Sequence, residues 1–503
     1  MLKTKKDCFV LKSKIIDIEA KRDWIILINA KDAKRYGVKP ASNILMELEG
    51  QNIAAEVTLT DSLVKPGEVG IFEDLANRFK IKSNSRINFS LIGRLASLDA
   101  IQKNMQHGIE LTYKEVHSII EDVASRKLND VAVAFFIAST FFGAVSRQEM
   151  YFMTKAMAET GKKLKFPGMV VDKHSVGGLA GNETTPIIIP IIASFGLIIP
   201  KTSSRAITSA SGTADTMEVF SPVSFPLKKL EQIVKKTNAC LVWGVGDVTP
   251  SDSRIIDIAS QLYIESFAKM VPSIIAKKAA LDVEYLVIDI PVNPTAKIKD
   301  MKTANELKDI MEDITKRMGM KTIVSINKAK GPIGRGFGGV LQARDDMYVL
   351  EQDERRPMDL EKRAIQLSGI LLELTKKAPK GKGEEYAKES LVSGQALKKF
   401  REIIKAQGGK SRITADKIKL GPIVHQIKAK KSGKITKIHN TNLVKTCRLL
   451  GSPFIKPAGV YMEKKLGDKV KKGDVIFTFY TITKFHLKLA LDGYKEKEIF
   501  EIK

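Results

Sequence analysis

The feature that most constrains the fold is an alternation of short apolar runs with helical segments between residues 168 and 350. Three of the runs, Gly168–Asp172, Ala239–Trp243 and Tyr285–Ile290, have the length and composition of buried strands. Alternating strands and helices are typical of an α/β domain, in which crossover helices connect the strands of a parallel or mixed sheet. We therefore predict a central α/β domain with a mixed sheet over 166–350.

The flanking regions have other patterns, and together they predict an α/β multidomain protein. Short β-rich runs separated by turn residues predict a small N-terminal β-rich domain over 1–88. Apolar residues at helical spacing predict a helical domain over 89–165, in which Ser146–Glu149 matches the capping box of a helix start. A connecting helical region is predicted over 351–420, and a C-terminal β-rich domain, barrel-like or α+β, over 421–503. We find no internal repeat in the sequence.

Composition and cysteine usage restrict the class of protein. With 503 residues, 44% of them hydrophobic, the chain is long enough for about three packed domains. Its three cysteines, Cys8, Cys240 and Cys447, lie far apart, which favours a reducing cytoplasm over a disulfide framework. The longest apolar stretch, Pro186–Pro200, is shorter than the roughly 18–20 residues of a membrane span, so we expect it in the core and no membrane association.

The formal net charge of +26 leaves three interpretations open. Lysines spread over a surface keep a protein in solution, a positive field attracts anionic substrates, and a basic surface can bind nucleic acid. The third interpretation is the weakest, because no RNP, KH or zinc-finger pattern accompanies the charge. The six histidines form no cluster with metal-ligand spacing, so no metal site is expected.

A glycine-rich segment, Asp172–Thr185, follows a predicted strand and precedes an apolar helical run. Its glycines allow backbone amides to approach an anion closely, and Lys173 adds a positive charge at the same place. Ser175 and Thr185 add hydroxyl donors. An ordinary glycine-rich turn is the alternative, but the hydroxyls beside the lysine favour a phosphate-binding loop.

A second segment, Lys201–Glu218, is rich in hydroxyl side chains and contains one arginine and one glycine. Hydroxyls and a guanidinium group suit the oxygens of phosphate or ribose. Taken alone, the segment is equally compatible with a Ser/Thr-rich loop.

Together these segments resemble the thymidine/pyrimidine-nucleoside phosphorylase family. The resemblance rests on Lys173-His174-Ser175-x-Gly177-Gly178, on Ser204-Arg205 through Gly212-Thr213-x-Asp215-x-x-Glu218, on Ser273-x-x-x-Lys277, and on the glycine-rich run from Gly331 to Arg344-Asp345. The β-rich N-terminal extension and the wording of 202–209 resemble the archaeal, AMP-specific branch of this family.

The resemblance implies binding roles for individual residues. Phosphate is held in this family by side chains that correspond here to Lys173, Ser175, Thr185, Ser203 and Thr213. In the AMP-specific branch the nucleotide contacts correspond to Gly178, Ser204, Arg205, Ala206, Ile207, Thr208, Ser209, Thr213, Ser273 and Lys277. Within this set, the stretch Ser204–Ser209 with Arg205 is the expected site of the 5′-phosphate.

The resemblance also implies the acid–base chemistry. A carboxylic acid eight residues before the motif serine protonates the leaving base, and here this position is Glu265, where the branch usually has aspartate. A solvated helix carboxylate is the alternative for Glu265, and a packed strand-end side chain is the alternative to a catalytic role for His174. Thymidine phosphorylases carry a base-contacting arginine at the position of Ile258, and its loss argues against thymidine as substrate.

The resemblance therefore implies the phosphorolysis of AMP, and of nucleoside 5′-monophosphates such as CMP and UMP, to free base and ribose 1,5-bisphosphate in nucleotide salvage. Phosphate is then a co-substrate, and neither a metal nor another cofactor is expected. Thymidine phosphorylase activity is one alternative. A non-catalytic basic protein that binds phosphate or nucleic acid is an alternative of another class. The resemblance further implies a homodimer or larger homo-oligomer.

Overall fold

The structure is a computed structural model, which describes residues 8–20, 24–48, 51–142, 145–206, 209–244, 246, 248–262, 266–496 and 498–503. The chain divides into two compact units. The first consists of 1–162 and 249–277, and the second of 163–248 and 278–503. Of the helices that these residues form, none has the length and apolar character needed to span a membrane.

The N-terminal elements form a closed six-stranded barrel. They are β1 (Cys8–Ile16), β2 (Ile25–Asn29), α1 (Ala30–Tyr36), β3 (Asn43–Leu48), β4 (Gln51–Thr60), β5 (Glu68–Phe72), α2 (Glu73–Phe79) and β6 (Arg86–Leu91). The strand order around the barrel is β1-β5-β2-β4-β3-β6. Alternate residues of β1 face the core, so that Phe9 and Leu11 are buried while Val10 is exposed. The barrel confirms the predicted N-terminal β-rich domain.

The barrel contains an internal repeat that the sequence analysis did not find. Each half has the order strand, strand, short helix, strand, from β1 to β3 and from β4 to β6. Both helices end in a left-handed residue, Gly37 in the first half and Lys80 in the second. Four residues further on, each half has another left-handed residue, Ala41 and Asn84. The halves share backbone geometry at positions where their side chains differ, and this conceals the repeat in the sequence.

Four helices follow the barrel in the same unit. They are α3 (Ala96–His107), α4 (Tyr113–Ala124), α5 (Asp130–Phe142) and α6 (Arg147–Glu159). The predicted capping box begins α6: Glu149 N donates to Ser146 Oγ, and Ser146 N donates to Glu149 Oε2, both at 3.1 Å. Thr112 and Glu115 form the same box at the start of α4. These helices confirm the predicted helical domain.

The central part of the chain has the predicted α/β pattern. Its elements are β7 (Val171–Ser175), α7 (Thr185–Ser194), β8 (Ile199–Ser203), α8 (Thr213–Met217), α9 (Leu227–Thr237), β9 (Ala239–Trp243), α10 (Pro250–Gln261), α11 (Phe267–Ala280), β10 (Tyr285–Val292), α12 (Met301–Arg317) and β11 (Lys321–Lys328). The described strands pair in parallel: β10 lies between β7 and β11, and β8 pairs with β9. A parallel bridge joins Val170 to Ile198. The helix α7 is buried up to Ala193, as expected for the apolar stretch that begins at Pro186.

The segment 249–277, which carries α10 and most of α11, belongs to the first unit. The sequence pattern places this segment in the predicted 166–350 domain. The difference arises because α10 packs against α4 and α5, where Arg254 Nη2 donates to Asp130 Oδ1 at 2.7 Å. The chain therefore leaves the α/β unit after β9 and returns to it before β10.

The C-terminal part supplies core helices to the α/β unit and then forms two small sheets. Its elements are β12 (Gly336–Phe337), α13 (Gly339–Leu350), α14 (Met358–Leu374), α15 (Gly383–Val392), α16 (Gln395–Ala406), β13 (Ile423–Lys428), β14 (Gly433–Ile438), α17 (Asn440–Leu449), β15 (Gly459–Met462), β16 (Lys469–Val470), β17 (Val475–Thr481), α18 (Lys484–Glu496) and β18 (Phe500–Ile502). One sheet has the order β12-β15-β17-β13 and the other β16-β14-β18. The predicted C-terminal β-rich domain is thus an α+β structure.

Candidate active site

The end of β7 and the start of α7 form the first part of the site. Lys173 is almost completely buried, and its Nζ donates a hydrogen bond to Thr184 Oγ1 at 2.8 Å. Because Thr185 is the first residue of α7, the positive end of the helix dipole follows this contact directly. Pro186 contributes no N–H there, and Ile187 N donates to Thr184 O at 3.2 Å. Burial lowers the pKa of Lys173, and the nearby Asp289 and Glu183 oppose this effect. An ammonium group and a helix N-terminus together favour an anionic ligand.

A buried ion cluster connects β7 to β8. Lys278 Nζ lies 2.5 Å from Asp172 Oδ2, and Lys201 Nζ lies 3.4 Å from Asp172 Oδ1. Lys201 also donates to the backbone oxygen of Lys173 at 2.5 Å. Burial acts to raise the pKa of Asp172, but the two lysines bring this pKa below its ordinary value. Asp172 is therefore ionised and holds the strand that presents Lys173.

Asp289 on β10 orients the hydroxyl of the first motif. Ser175 Oγ donates to Asp289 Oδ2 at 3.0 Å, and Asn182 Nδ2 donates to the same oxygen at 2.8 Å. Arg363 Nη2 donates to the other carboxylate oxygen of Asp289. The half-buried His174 lies between Lys173 and Ser175, next to the last residue of β7.

Gly178 has a conformation and a setting that require glycine. Its φ is +87°, and a Cβ atom built there would lie 2.3 Å from Lys297 Cβ. Asn440 holds the turn on both sides, because its Nδ2 donates to Gly178 O at 2.8 Å and its Oδ1 accepts from Ala180 N at 2.6 Å. The backbone of this loop is consequently fixed before any ligand arrives.

The loop between β8 and α8 meets the first loop through Thr213. The atoms Thr213 Oγ1 and Glu183 Oε1 lie 2.7 Å apart. Within the part of the chain that the structure describes, the buried atoms Thr202 Oγ1 and Ser203 Oγ have no hydrogen-bond partner. Such hydroxyls are uncommon in proteins and are available to a ligand. The structure thus brings the two motif segments together on one side of the sheet.

Arg205 is engaged by protein carboxylates. Its Nη1 donates to Asp215 Oδ1 at 3.0 Å, and its two terminal nitrogens donate to Glu218 at 2.8 Å each. The guanidinium group also lies over the ring of Trp243, 5.0 Å from the centroid. Hydrogen bonds from Arg205 lower the pKa of Glu218 to about 2, so the pair stays charged at neutral pH. The side chain predicted to hold a substrate phosphate instead holds its own loop.

Asp215 closes this loop at both ends. Its Oδ2 accepts from Ala206 N at 2.8 Å and from Gly212 N at 2.9 Å. A Cβ atom on Gly212 would lie 2.5 Å from Ser204 O, so the chain folds back on itself too tightly for another residue. Ser209, another predicted nucleotide contact, donates from Oγ to the backbone oxygen of Ser211 at 2.8 Å.

The predicted base-side residues lie in the first unit. Lys277 Nζ lies 2.5 Å from Oδ2 of the buried Asp252 and donates to Ser273 Oγ at 3.2 Å, one helical turn away. Ile258, the position at which the family resemblance implies an arginine in thymidine phosphorylases, is buried on α10. Three predicted residues, Ile207, Thr208 and Glu265, lie outside the described residues. Among the residues that are described, no three His, Cys, Asp or Glu side chains converge as a metal site.

Several residues of the site were given no role by the sequence motifs. They are the acids and amide that hold the predicted ligands, namely Asp172, Asn182, Glu183, Asp252 and Asp289. Asp172 and Asp289 interrupt apolar strands, and a charged residue inside a buried strand is the one available clue, because burial of a charge requires a partner.

Comparisons with known proteins identify relatives of the chain. The description "Glycosyl transferase family, a/b domain" matches residues 167–276, and "Pyrimidine nucleoside phosphorylase C-terminal domain" matches 434–499. A Methanocaldococcus jannaschii protein named "AMP phosphorylase" is 36% identical over 482 residues, which cover 96% of this chain and 95% of that protein. A Legionella pneumophila (strain Paris) protein named "Putative thymidine phosphorylase" is 38% identical over 465 residues, 92% and 89% of the two chains.

A solved structure shares the fold. The anthranilate phosphoribosyltransferase of Thermus thermophilus matches with a TM-score of 0.52 and 16% identity, over 62% of this chain and 99% of that one. At this identity the likeness concerns the fold alone.

Proposed function

Because the chain belongs to the thymidine/pyrimidine-nucleoside phosphorylase family, we propose that it catalyses the phosphorolysis of AMP to adenine and ribose 1,5-bisphosphate. Other nucleoside 5′-monophosphates, such as CMP and UMP, are further substrates in this proposal. The enzyme is a pentosyltransferase, and inorganic phosphate is its second substrate.

The observation that carries this proposal is the convergence of two hydroxyl-rich loops on one buried ammonium group. Lys173 is 1% exposed, and the helix N-terminus that begins at Thr185 follows its hydrogen-bond partner. The second loop joins the first through Thr213 and Glu183. A site with this composition favours an oxyanion, as phosphorolysis requires.

The protein contributes to the reaction by desolvating and positioning phosphate. Phosphate is a weak nucleophile in water, and a cradle of amides, hydroxyls and Lys173 replaces its hydration shell and aims it at C1′ of the ribose. As the bond from C1′ to the base nitrogen breaks, positive charge develops on the sugar. The negative charge of the bound phosphate stabilises this oxocarbenium-like state.

The leaving base needs a proton, and Glu265 is the proposed donor by its position in the family motif. General acid catalysis of this kind contributes roughly 10²- to 10⁴-fold. Ser273 and Lys277 are proposed to orient the base by their positions in the same motif, and the ion pair with Asp252 holds the ammonium group of Lys277 beside Ser273. His174 is proposed to contact the sugar or phosphate.

The 5′-phosphate is proposed to bind the stretch Ser204–Ser209 through backbone amides and hydroxyls. The guanidinium group of Arg205 supports the loop instead, because two carboxylates already occupy it. Asp215 supports this proposal because it fixes the loop at Ala206 and Gly212, on either side of the proposed phosphate contacts Thr208 and Ser209.

The experiment that tests the proposal measures base release from AMP, CMP, UMP, adenosine and thymidine, with and without orthophosphate. We expect release from the monophosphates that depends on orthophosphate and yields ribose 1,5-bisphosphate. Lys173→Met should abolish release, whereas the exposed Lys430→Met should leave it unchanged. Release of base from thymidine but not from AMP would favour the thymidine phosphorylase alternative. Release of base that does not depend on orthophosphate would contradict the proposal.

The proposal also covers the assembly of the protein, its location in the cell and its requirement for a cofactor. We propose a homodimer or larger homo-oligomer, which light scattering of the purified protein tests. A cytoplasmic location is supported by the three cysteines, which are all free thiols. No metal or other cofactor is part of the proposed reaction, and activity should therefore survive a chelator.

A further inference from the structure

Glu183 is a buried acid in the phosphate loop to which neither the family motif nor the proposed mechanism assigns a role. It lies between Asn182 and Thr184, is 7% exposed, and has its Oε1 atom 2.7 Å from Thr213 Oγ1. Thr213 is a proposed phosphate ligand. An acid therefore shares a hydroxyl group with the anion that the site is built to bind, and two negative charges at one hydroxyl repel each other.

The hydroxyl of Thr213 has a single hydrogen, and this decides how the contact can work. If Glu183 is ionised, it accepts that hydrogen, and Thr213 can offer only its oxygen lone pairs to phosphate. If Glu183 is protonated, it donates to Thr213 Oγ1, and the Thr213 hydrogen is free to point at phosphate. The heavy-atom distance of 2.7 Å is compatible with both directions.

The charged groups around Glu183 come from four elements. Lys173 on β7 and Lys201 on β8 favour its ionised form, while Asp215 on α8 opposes it. Asp346 on α13 is a fourth neighbour, and both of its carboxylate oxygens are buried without a hydrogen-bond partner among the described residues. The hydrogen bond from Thr213 favours the ionised form most, and Lys173 is the next influence in that direction. Lys201 contributes less and is already paired with an acid.

A bound phosphate favours the protonated form of Glu183. It places up to two negative charges beside Lys173 and Thr213 and so neutralises the cation that favours an ionised Glu183. Burial already raises the pKa of Glu183 above its ordinary value, and a neighbouring anion raises it further. Anion binding and proton uptake by Glu183 are therefore thermodynamically linked.

We propose that Glu183 is a positioning residue for the phosphate site, which takes up a proton when the anion binds and then, as the neutral acid, turns the Thr213 hydroxyl towards it. No covalent bond changes, and the proton comes from solvent. The proposal rests on the proposed function in that phosphate is the natural anion, but it concerns binding and is tested without turnover.

The test is calorimetric titration of the full-length protein with sulfate, which carries no titratable proton near neutral pH. Titrations in two buffers of different ionisation enthalpy report the number of protons taken up per anion. We expect net proton uptake on sulfate binding for the wild type at pH 7.5, and close to none for Glu183→Gln, whose amide donates as the neutral acid does. Glu183→Gln should bind sulfate within a few-fold of the wild type.

Three variants separate this role from a structural one. Glu183→Ala should bind sulfate roughly tenfold or more weakly, because the Thr213 hydroxyl loses its partner. In a Thr213→Val background, Glu183→Gln should change affinity little, since the hydroxyl through which it acts is absent. Glu312→Gln, at a half-exposed acid on α12, is the matched control and should keep the wild-type proton uptake.

The turnover readout is the pH dependence of the KM for phosphate. For the wild type this KM should rise with pH as Glu183 is ionised, and Glu183→Gln should flatten the rise and leave kcat little changed. Equal proton uptake by the wild type and Glu183→Gln would overturn the proposal, as would the absence of anion binding. Proton-linked sulfate binding without AMP cleavage would instead contradict the proposed function and leave the role of Glu183 standing.

Discussion

Replacing the carboxylate of Asp215 with an amide should disturb the loop between β8 and α8 while changing the stability of the protein little. Its Oδ2 accepts from Ala206 N and Gly212 N at 2.8 and 2.9 Å, and its Oδ1 accepts from Arg205 Nη1 at 3.0 Å. The carboxylate is 7% exposed. Asp215→Asn keeps the size of the side chain but replaces one acceptor oxygen with an amide donor.

The expected cost follows from these three contacts. The single side-chain oxygen of asparagine can accept hydrogen bonds either from the two backbone amides or from Arg205. The NH2 group of asparagine then faces the remaining donor, which has lost its acceptor. Loss of one charge-assisted hydrogen bond with such a mismatch costs about 2–4 kcal/mol. If substrate binds only to the ordered loop, the same free energy is lost from transition-state binding. We therefore expect kcat/KM for AMP to fall by roughly 30- to 900-fold.

The assay is steady-state phosphorolysis of AMP with a parallel measurement of thermal unfolding. Glu218→Gln is the matched control, because Glu218 binds the same arginine but its side chain is 25% exposed. A partly exposed ion pair contributes about 0–1 kcal/mol, so this variant should lose less than tenfold. Both variants should unfold close to the wild-type temperature. Equal losses in the two variants, or an Asp215→Asn enzyme within threefold of wild type, would refute the reasoning.

Three further predictions concern single positions. Burial raises the pKa of Asp346 in the folded protein. The protonated carboxyl therefore makes its full contribution to the free energy of unfolding below about pH 4, where Asp346 is also protonated in the unfolded chain, and this contribution is lost as the pH rises through the folded-state pKa. Asp346→Asn should therefore resist denaturant better than wild type at pH 8 and equally at pH 4. Gly178→Ala brings a Cβ atom 2.3 Å from Lys297 Cβ, and should lower kcat/KM for AMP tenfold or more in the same phosphorolysis assay. Lys80→Gly relieves a left-handed residue where the other half of the barrel has Gly37, and should raise the free energy of unfolding by up to about 1 kcal/mol in denaturant titrations.

The sequence predicts the parts of this protein that local patterns determine. The alternation of apolar runs predicts the α/β core, and Ser146 with Glu149 predicts the start of a helix to the residue. The phosphate loop is predictable for the same reason, because a lysine, hydroxyls and glycines stand within a few residues of each other. Each of these features is local in sequence, so its physical meaning does not depend on distant contacts.

Contacts between distant segments lie beyond this kind of prediction. Asp289 reaches Ser175 across more than a hundred residues, and Asp252 reaches Lys277 from another helix. The repeat in the barrel is hidden for a different reason, since backbone angles are kept while side chains change. Arg205 shows how a local pattern misleads: an arginine in a hydroxyl-rich loop suits a phosphate, but the structure gives it protein carboxylates.

The distant contacts also show how a strongly basic chain keeps the proposed anion site close to neutral. Lys173, Lys201 and Lys278 are buried, and Asp172 and Asp289 lie among them, so the site carries little of the net charge of the chain. Cations without these acids would cost several kcal/mol each in the folded protein before any ligand bound. In the proposed site, hydrogen-bond geometry and the helix N-terminus hold the anion, and the proposed protonation of Glu183 balances part of its charge. On this proposal, selectivity for phosphate depends on how the hydroxyl groups are oriented, and the contacts of Ser175 with Asp289 and of Thr213 with Glu183 set that orientation.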